Sequence, residues 1–379
     1  GFTMKKPLSM VFALSGLLLL TGCPSDGGSG SGGVNITLGG SSAPAIAYVA
    51  NQGTNDVSAY TFNSTTGVLT AVTGAPFSVG TSPSSAAVSS NGSFVYVANS
   101  GANTLSGFTV NSTTGALTAV TGSPFAAGTT PSAVTVSPNN AFAFVANQGT
   151  NNVSAYSINS STGVLSGVAG SPFAAGTNPA AVAVTPNSSF AYVANGGGDV
   201  SAYTINSSTG VLSAVAGSPF AAGTNPSAVA VSPNGLFALA TNLGSNDISV
   251  YSINGSTGAL SAVAGSPFSV GTSPTGVAVS PSGSFMYVAN QGSNNVSAFT
   301  INNTTGALTA VAGSPFSTGT SPAGVTVSPN GSFLYVANGG SNNVSAFTIN
   351  SSTGVLAAVA GSPFSAGTTP SGIATPGRP

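Results

Sequence analysis

Short runs of β-branched and aromatic residues alternate with clusters of Gly, Pro, Asn and Ser along nearly the whole chain. The stretch from Pro131 to Asn178 shows the pattern. It opens with Pro131-Ser132-Ala133-Val134-Thr135-Val136-Ser137, turns at Pro138-Asn139-Asn140, and continues as Phe142-Ala143-Phe144-Val145-Ala146-Asn147. A turn from Gln148 to Asn152 leads to Val153-Ser154-Ala155-Tyr156-Ser157-Ile158, and another from Asn159 to Gly163 leads to Val164-Leu165-Ser166-Gly167-Val168. Runs of this kind between turn formers predict strands, four to the unit.

The unit recurs seven times. Its second predicted strand carries a near-identical tetrapeptide, Tyr-Val-Ala-Asn or a close variant, starting at Tyr48, Tyr96, Phe144, Tyr192, Leu239, Tyr287 and Tyr335, at spacings of 48, 48, 48, 47, 48 and 48 residues. A β-rich repeat of that length predicts an all-β, seven-bladed β-propeller of four-stranded antiparallel blades. Blades two to seven span 83–130, 131–178, 179–225, 226–273, 274–321 and 322–369. Blade one is composite, 44–82 plus 370–375, and residues 376–379 form a tail. The chain enters at Ile46, already in a second strand, and ends with Pro370 to Thr375, a first strand with nothing after it. Joining the two closes the ring and removes both exposed sheet edges. The first strands, small and β-branched with little polar alternation, are expected to be buried on both faces. The Gly170-Ser171-Pro172-Phe173 segment belongs on an outer edge, because Pro cannot donate to a ladder.

Charge hardly enters. The 379 residues include three Lys or Arg, four Asp or Glu, no His and no Trp. Nucleic acid is excluded as a partner, since that binding depends on Lys and Arg neutralising phosphates. The absence of Trp argues against WD repeats. A hydrophobic fraction of 41% arranged in regular strands argues against disorder.

The first residues read as export machinery. Lys5 and Lys6 precede an apolar run from Leu8 to Leu20, too short to span a bilayer comfortably. Leu20-Thr21-Gly22-Cys23 follows and resembles the bacterial lipobox, in which the cysteine is lipidated. Residues 1–23 are therefore expected to be a lipoprotein signal peptide with lipidation at Cys23, and 24–43 a Gly/Ser-rich tether with a random-coil reach of about 25 Å. That places the protein in the cell envelope, held to a membrane by its N-terminal lipid, at the outer membrane or cell surface.

The Tyr-Val-Ala-Asn tetrapeptide, the turn Pro329-Asn330-Gly331-Ser332-Phe333 and the strand Pro322-Ala323-Gly324-Val325-Thr326-Val327-Ser328 together resemble the YVTN-repeat β-propellers. Those sit near the seven-bladed lactonase-like family that includes 6-phosphogluconolactonase. The resemblance extends over nearly all of residues 44–375 and implies the propeller fold and, by extension, hydrolysis of a sugar lactone. No charged position here matches a catalytic residue of that family, so none is carried over.

Candidate chemistry is sparse. Without His there is no imidazole base, no Ser-His pair and no His metal ligand. Asp56, Asp199 and Asp247 occupy one repeated turn where other units carry Asn152, Asn295, Asn343 or Thr104, a position that suits Asn or Asp for turn geometry; calcium is the other use for such a residue. No cofactor or metal site is expected. The nine Tyr fall at two repeated strand positions, where Phe144, Leu239, Phe108, Phe299 and Phe347 substitute. They read as inter-blade core in which the hydroxyl is dispensable. The turns after the tetrapeptide form a ring of neutral amides and hydroxyls, with Asn51, Asn99, Asn147, Asn195, Asn242, Asn290 and Asn338 as candidate ligand-binding residues for a cell-surface glycan or envelope protein. Units four and five, least regular at Gly196-Gly197-Gly198-Asp199 and Leu239-Ala240-Thr241-Asn242-Leu243, are the place to look for specialisation. The main functional expectation is a lipid-anchored, non-catalytic binding, adhesion or scaffold propeller; the alternative is a lactonase-like hydrolase of sugar lactones.

Overall fold

The computed structural model describes residues 45–376, which form seven antiparallel sheets. Cys23, the tether and Arg378 lie outside the described residues. In blade three the strands are Pro131–Val136, Phe142–Asn147, Asn152–Ile158 and Leu165–Gly167, each antiparallel to the next. A fifth piece, Phe173–Ala174, pairs with the opening of the third strand at Asn152 and Val153. Each blade thus has four strand positions, with the outermost strand split in two. The split follows from the Ser-Pro dipeptide. Pro172 offers no N–H, and Ser171 Oγ accepts the N–H of Ala155 at 2.9 Å where a ladder carbonyl would otherwise stand.

Ring closure is as the sequence predicts. Ile46–Asn51 pairs on one side with Asp56–Phe62 and on the other with the C-terminal Pro370–Ala374. All seven second strands are buried along their whole length. The apolar cores lie between blades rather than within them. At the closing seam Tyr335, Val344 and Val359 of blade seven pack against Val49, Tyr60 and Phe62 of blade one. The first strands differ from expectation: they are only part-buried, because their inner face lines the axis instead of meeting another sheet.

The tyrosine hydroxyls are not dispensable. Each second-strand Tyr donates to a turn carbonyl of the following blade: Tyr48 to Gly115 (2.7 Å), Tyr96 to Gly163 (2.7 Å), Tyr192 to Gly258 (2.9 Å), Tyr287 to Gly354 (3.0 Å) and Tyr335 to Gly67 (3.0 Å). The acceptor glycines have positive φ and no room for a Cβ; at Gly67 (φ 76°) the Phe333 ring fills that space. Third-strand tyrosines donate backwards, Tyr156 to Ala126 (2.5 Å), Tyr203 to Ala174 (2.5 Å), Tyr251 to Ala221 (2.6 Å) and Tyr60 to Ser365. Where Phe or Leu substitutes, the bond is lost. The closing seam between blades seven and one has both bonds, whereas the seam between five and six, with Leu239 and Phe299, has neither.

Two outcomes follow from these bonds. Tyr335→Phe, which strands a buried Gly67 carbonyl, should lower unfolding free energy by about 1–3 kcal/mol, and Phe299→Tyr should raise it by about 0.5–1.5 kcal/mol, both read as denaturant midpoints. Burial also pushes the phenols of Tyr48, Tyr96, Tyr192, Tyr287 and Tyr335 above their usual range. A folded value above the unfolded one, about 10, means this stabilisation is complete below pH 10 and is lost as pH rises beyond it. Tyrosinate absorbance should therefore appear together with cooperative unfolding in an alkaline titration, not ahead of it.

Candidate functional site

Seven first strands converge on the axis, and their sequence sets two belts around it. At the end where these strands begin, the residue after the leading proline carries a hydroxyl in five blades. Ser84, Ser132, Ser227, Thr275 and Ser371 donate to the carbonyls of Pro131, Pro179, Pro274, Pro322 and Pro83 in the following blade, at 2.7–2.9 Å. Ala180 and Ala323 interrupt the belt. Toward the opposite end the strands present Val88, Val136, Val184, Val231, Val279 and Val327, with Thr375 completing the circle, under a collar of prolines that includes Pro138 and Pro233. They enclose a cavity of about 860 Å³, whose polar lining is Asn139, Asn187 and hydroxyls such as Ser90, Thr326 and Thr375. None of its lining residues is ionisable. The cavity has the size of a small-molecule site and can offer hydrogen bonds to a ligand, but no acid or base.

The seven asparagines predicted as ligand contacts are placed elsewhere. All are fully buried, at 0% exposure, which puts them out of reach of a ligand on the rim. Each asparagine Nδ2 donates within its own blade, Asn147 to Asn152 Oδ1 and Ser154 Oγ, both at 2.8 Å, and in two blades Oδ1 also reaches across a seam: Asn147 Oδ1 accepts the N–H of Gly128 in the preceding blade at 3.1 Å. Asn290 does the same with Gly271. At the seam between blades three and four the corresponding N–H, from Gly176, goes to Ser201 Oγ instead, and Asn195 Oδ1 has no partner. Asn147 and Asn290 thus tie their blades to the preceding ones, while Asn51, Asn99, Asn195, Asn242 and Asn338 pin the hairpin of their own blade and leave Oδ1 without a partner.

Asp56, Asp199 and Asp247 accept the same asparagine N–H, from Asn51, Asn195 and Asn242, at 2.7, 2.7 and 2.6 Å. Asn152, Asn295 and Asn343 accept it equally well at 2.8 Å. The carboxylate is used as a turn acceptor. Asp199 and Asp247, in adjacent blades, reach the same phenol: both add to the rise that desolvation gives Tyr251. Among the described residues no cluster of three or more His, Cys, Asp or Glu is placed to hold a metal ion.

The axial hydroxyl belt went unread in the sequence, although Ser or Thr directly after the first-strand proline in five of seven units is its signal. Asn147→Ala removes one buried and two part-buried bonds and should cost about 2–4 kcal/mol in chemical denaturation.

A family model described as lactonase, 7-bladed β-propeller, matches residues 40–172, 168–265, 213–316 and 309–373. No curated protein matches the sequence. Among solved structures, a candidate 6-phosphogluconolactonase from Bacteroides uniformis superposes with a TM-score of 0.76 at 20% identity, covering 88% of this chain and 99% of its own. A second candidate 6-phosphogluconolactonase, from Bacteroides fragilis, gives 0.74 at 20% identity over 87% and 97%. The periplasmic gluconolactonase of Pseudomonas aeruginosa gives 0.72 at 19% identity over 86% and 98%. At these identities the structures share a fold with this chain.

Proposed function

Since the chain belongs to the lactonase family of seven-bladed β-propellers, we propose that it hydrolyses a neutral sugar lactone bound at the axial cavity. The observation that carries the choice of substrate is the charge distribution: the only Lys and Arg residues are Lys5, Lys6 and Arg378, so no cation lies between residues 45 and 376. A phosphorylated lactone calls for Arg or Lys at its phosphate. A neutral aldonolactone needs hydrogen-bond donors and acceptors for its hydroxyls, which Asn139, Asn187 and the threonine and serine hydroxyls supply.

Hydrolysis adds water to the lactone carbonyl, breaks the ring C–O bond and leaves an aldonic acid, with the departing ring oxygen taking a proton. The lining groups can orient the ring and donate hydrogen bonds to the carbonyl oxygen as negative charge develops on it, a contribution of about 10²–10³ for a well-placed donor. With no basic side chain to retain it, the anionic product leaves readily. A second reading, binding without turnover, is favoured by one specific observation: nothing that titrates faces the cavity.

Proton release by the full-length protein with glucono-1,5-lactone and with its 6-phosphate, corrected for spontaneous hydrolysis, separates these readings. The expected result is acceleration with the neutral lactone, at least tenfold weaker with the phosphate, and lowered by Val184→Phe, whose ring intrudes on the cavity. No acceleration with either lactone would refute the hydrolase; calorimetric binding under the same conditions would then support the non-catalytic reading.

A further inference from the structure

The opposite end of the axis, where the first strands begin, carries a feature that the lactone reading does not use. We propose that the junction of blades six, seven and one there is a binding notch for a single neutral sugar residue, separate from the axial cavity.

The notch has a volume of about 300 Å³, at the lower limit for a small-molecule site. It arises from two departures of blade seven from its neighbours. The residue following the buried asparagine carries a side chain in blades one, two, three, five and six, as Gln52, Ser100, Gln148, Leu243 and Gln291, but is Gly339 in blade seven. The missing side chain opens a gap floored by Gly339 and Gly340, with the glutamines of the two adjoining blades, Gln52 and Gln291, among its lining residues. Both glutamines are solvent-exposed. The second departure is Ala323, which breaks the hydroxyl belt. The carbonyls of Pro83, Pro131, Pro179, Pro274 and Pro322 each accept a hydroxyl from the preceding blade, and Pro370, also lining the notch, receives none.

Blade four shares both departures, Ala180 and Gly196, and so provides an internal comparison. Its neighbours carry Gln148 and Leu243, and its own hairpin is one residue shorter, so it lacks the paired amides. The notch between two glutamines occurs once in the ring.

The chemistry of that lining is specific. Two primary amides each provide two N–H donors and one oxygen acceptor; Ser321 and Thr369 add hydroxyls that donate and accept; Pro370 adds a carbonyl. Matched neutral donors and acceptors suit vicinal sugar hydroxyls, each of which donates and accepts. There is no cation for a phosphate or uronate and no aromatic ring to stack on, so the site selects against charge and binds weakly, in the millimolar range. The notch lies at the ring-closing blade, not at blades four and five where sequence irregularity pointed.

Saturation-transfer NMR on the full-length protein tests this with glucose, galactose and N-acetylglucosamine, and with glucuronate and glucose 6-phosphate as charged controls. At least one neutral sugar should bind saturably and at least tenfold more tightly than the charged ones. Gly339→Gln, which refills the gap with the residue of blades one, three and six, should weaken binding at least tenfold, and Gly196→Gln should leave it unchanged. Should Gly339→Gln fail to fold, the Gln52→Ala/Gln291→Ala double variant should show a loss of about tenfold or more, as removal of several hydrogen bonds implies. The site is refuted if none of the neutral sugars binds, or if binding survives Gly339→Gln or, in a folded protein, the double glutamine change. Lactone turnover is read in parallel; because that reaction is assigned to the other end of the axis, it should persist in all three variants, and its loss would show that the two sites are one.

Discussion

Every blade of this propeller depends on its neighbour for a core. The fully buried second strand places two large apolar side chains into each seam, such as Phe333 and Tyr335, and in five blades a tyrosine hydroxyl among them reaches a turn carbonyl of the next blade that only a glycine of positive φ can present there. A blade taken alone would expose that strand's side chains and leave the carbonyl without its donor. Closure therefore matters more than the content of any single blade, and the seam that closes the ring holds Tyr335 and Tyr60 bonds together. The five-to-six seam, with Leu239 and Phe299, lacks both tyrosine bonds and is held by apolar packing, the axial Ser227 bond to Pro274 and the bond from Gly271 to Asn290.

Much of this was legible in the chain. The 48-residue recurrence of the tetrapeptide gave the number of blades, and the orphan strand at Pro370 to Thr375 gave the closure, because strand order in a repeat protein is a local property of sequence. What stayed hidden depends on where one blade's atoms meet another's. Phe144 in place of Tyr suggests a dispensable hydroxyl until Gly115 and its equivalents are seen opposite the tyrosines. Asn147 resembles an exposed turn residue until Gly128 of the preceding blade is seen to cover it. Ser171-Pro172 announced an edge correctly, but not that the outer strand would break there. The candidate sites were the least legible part: the axial cavity is the space left when seven first strands meet, and the notch is an absence, Gly339 and Ala323, which matters only because glutamines flank it in the adjoining blades.

The chemistry of the molecule follows from the same economy of charge. A scaffold whose described residues include no cation cannot grip a phosphate by ion pairing, and its three aspartates are employed as acceptors for asparagine amides. What the two ends of the axis offer is neutral hydrogen bonding at different scales, a broad valine- and proline-lined cavity at one end and a narrow amide-lined notch at the other. Both suit uncharged sugars.

Closure of the ring by its own C-terminus is the claim on which the cavity, the notch and the seams all depend. Native-state hydrogen exchange followed by mass spectrometry addresses it directly, by comparing Ser371 to Ala374 and Tyr48 to Ala50 with the corresponding strands of blades two to four. A closed ring predicts that the terminal strand exchanges as slowly as its internal counterparts. Exchange of Ser371 to Ala374 at the rate of a frayed chain end, with Tyr48 to Ala50 unprotected beside it, would contradict the account.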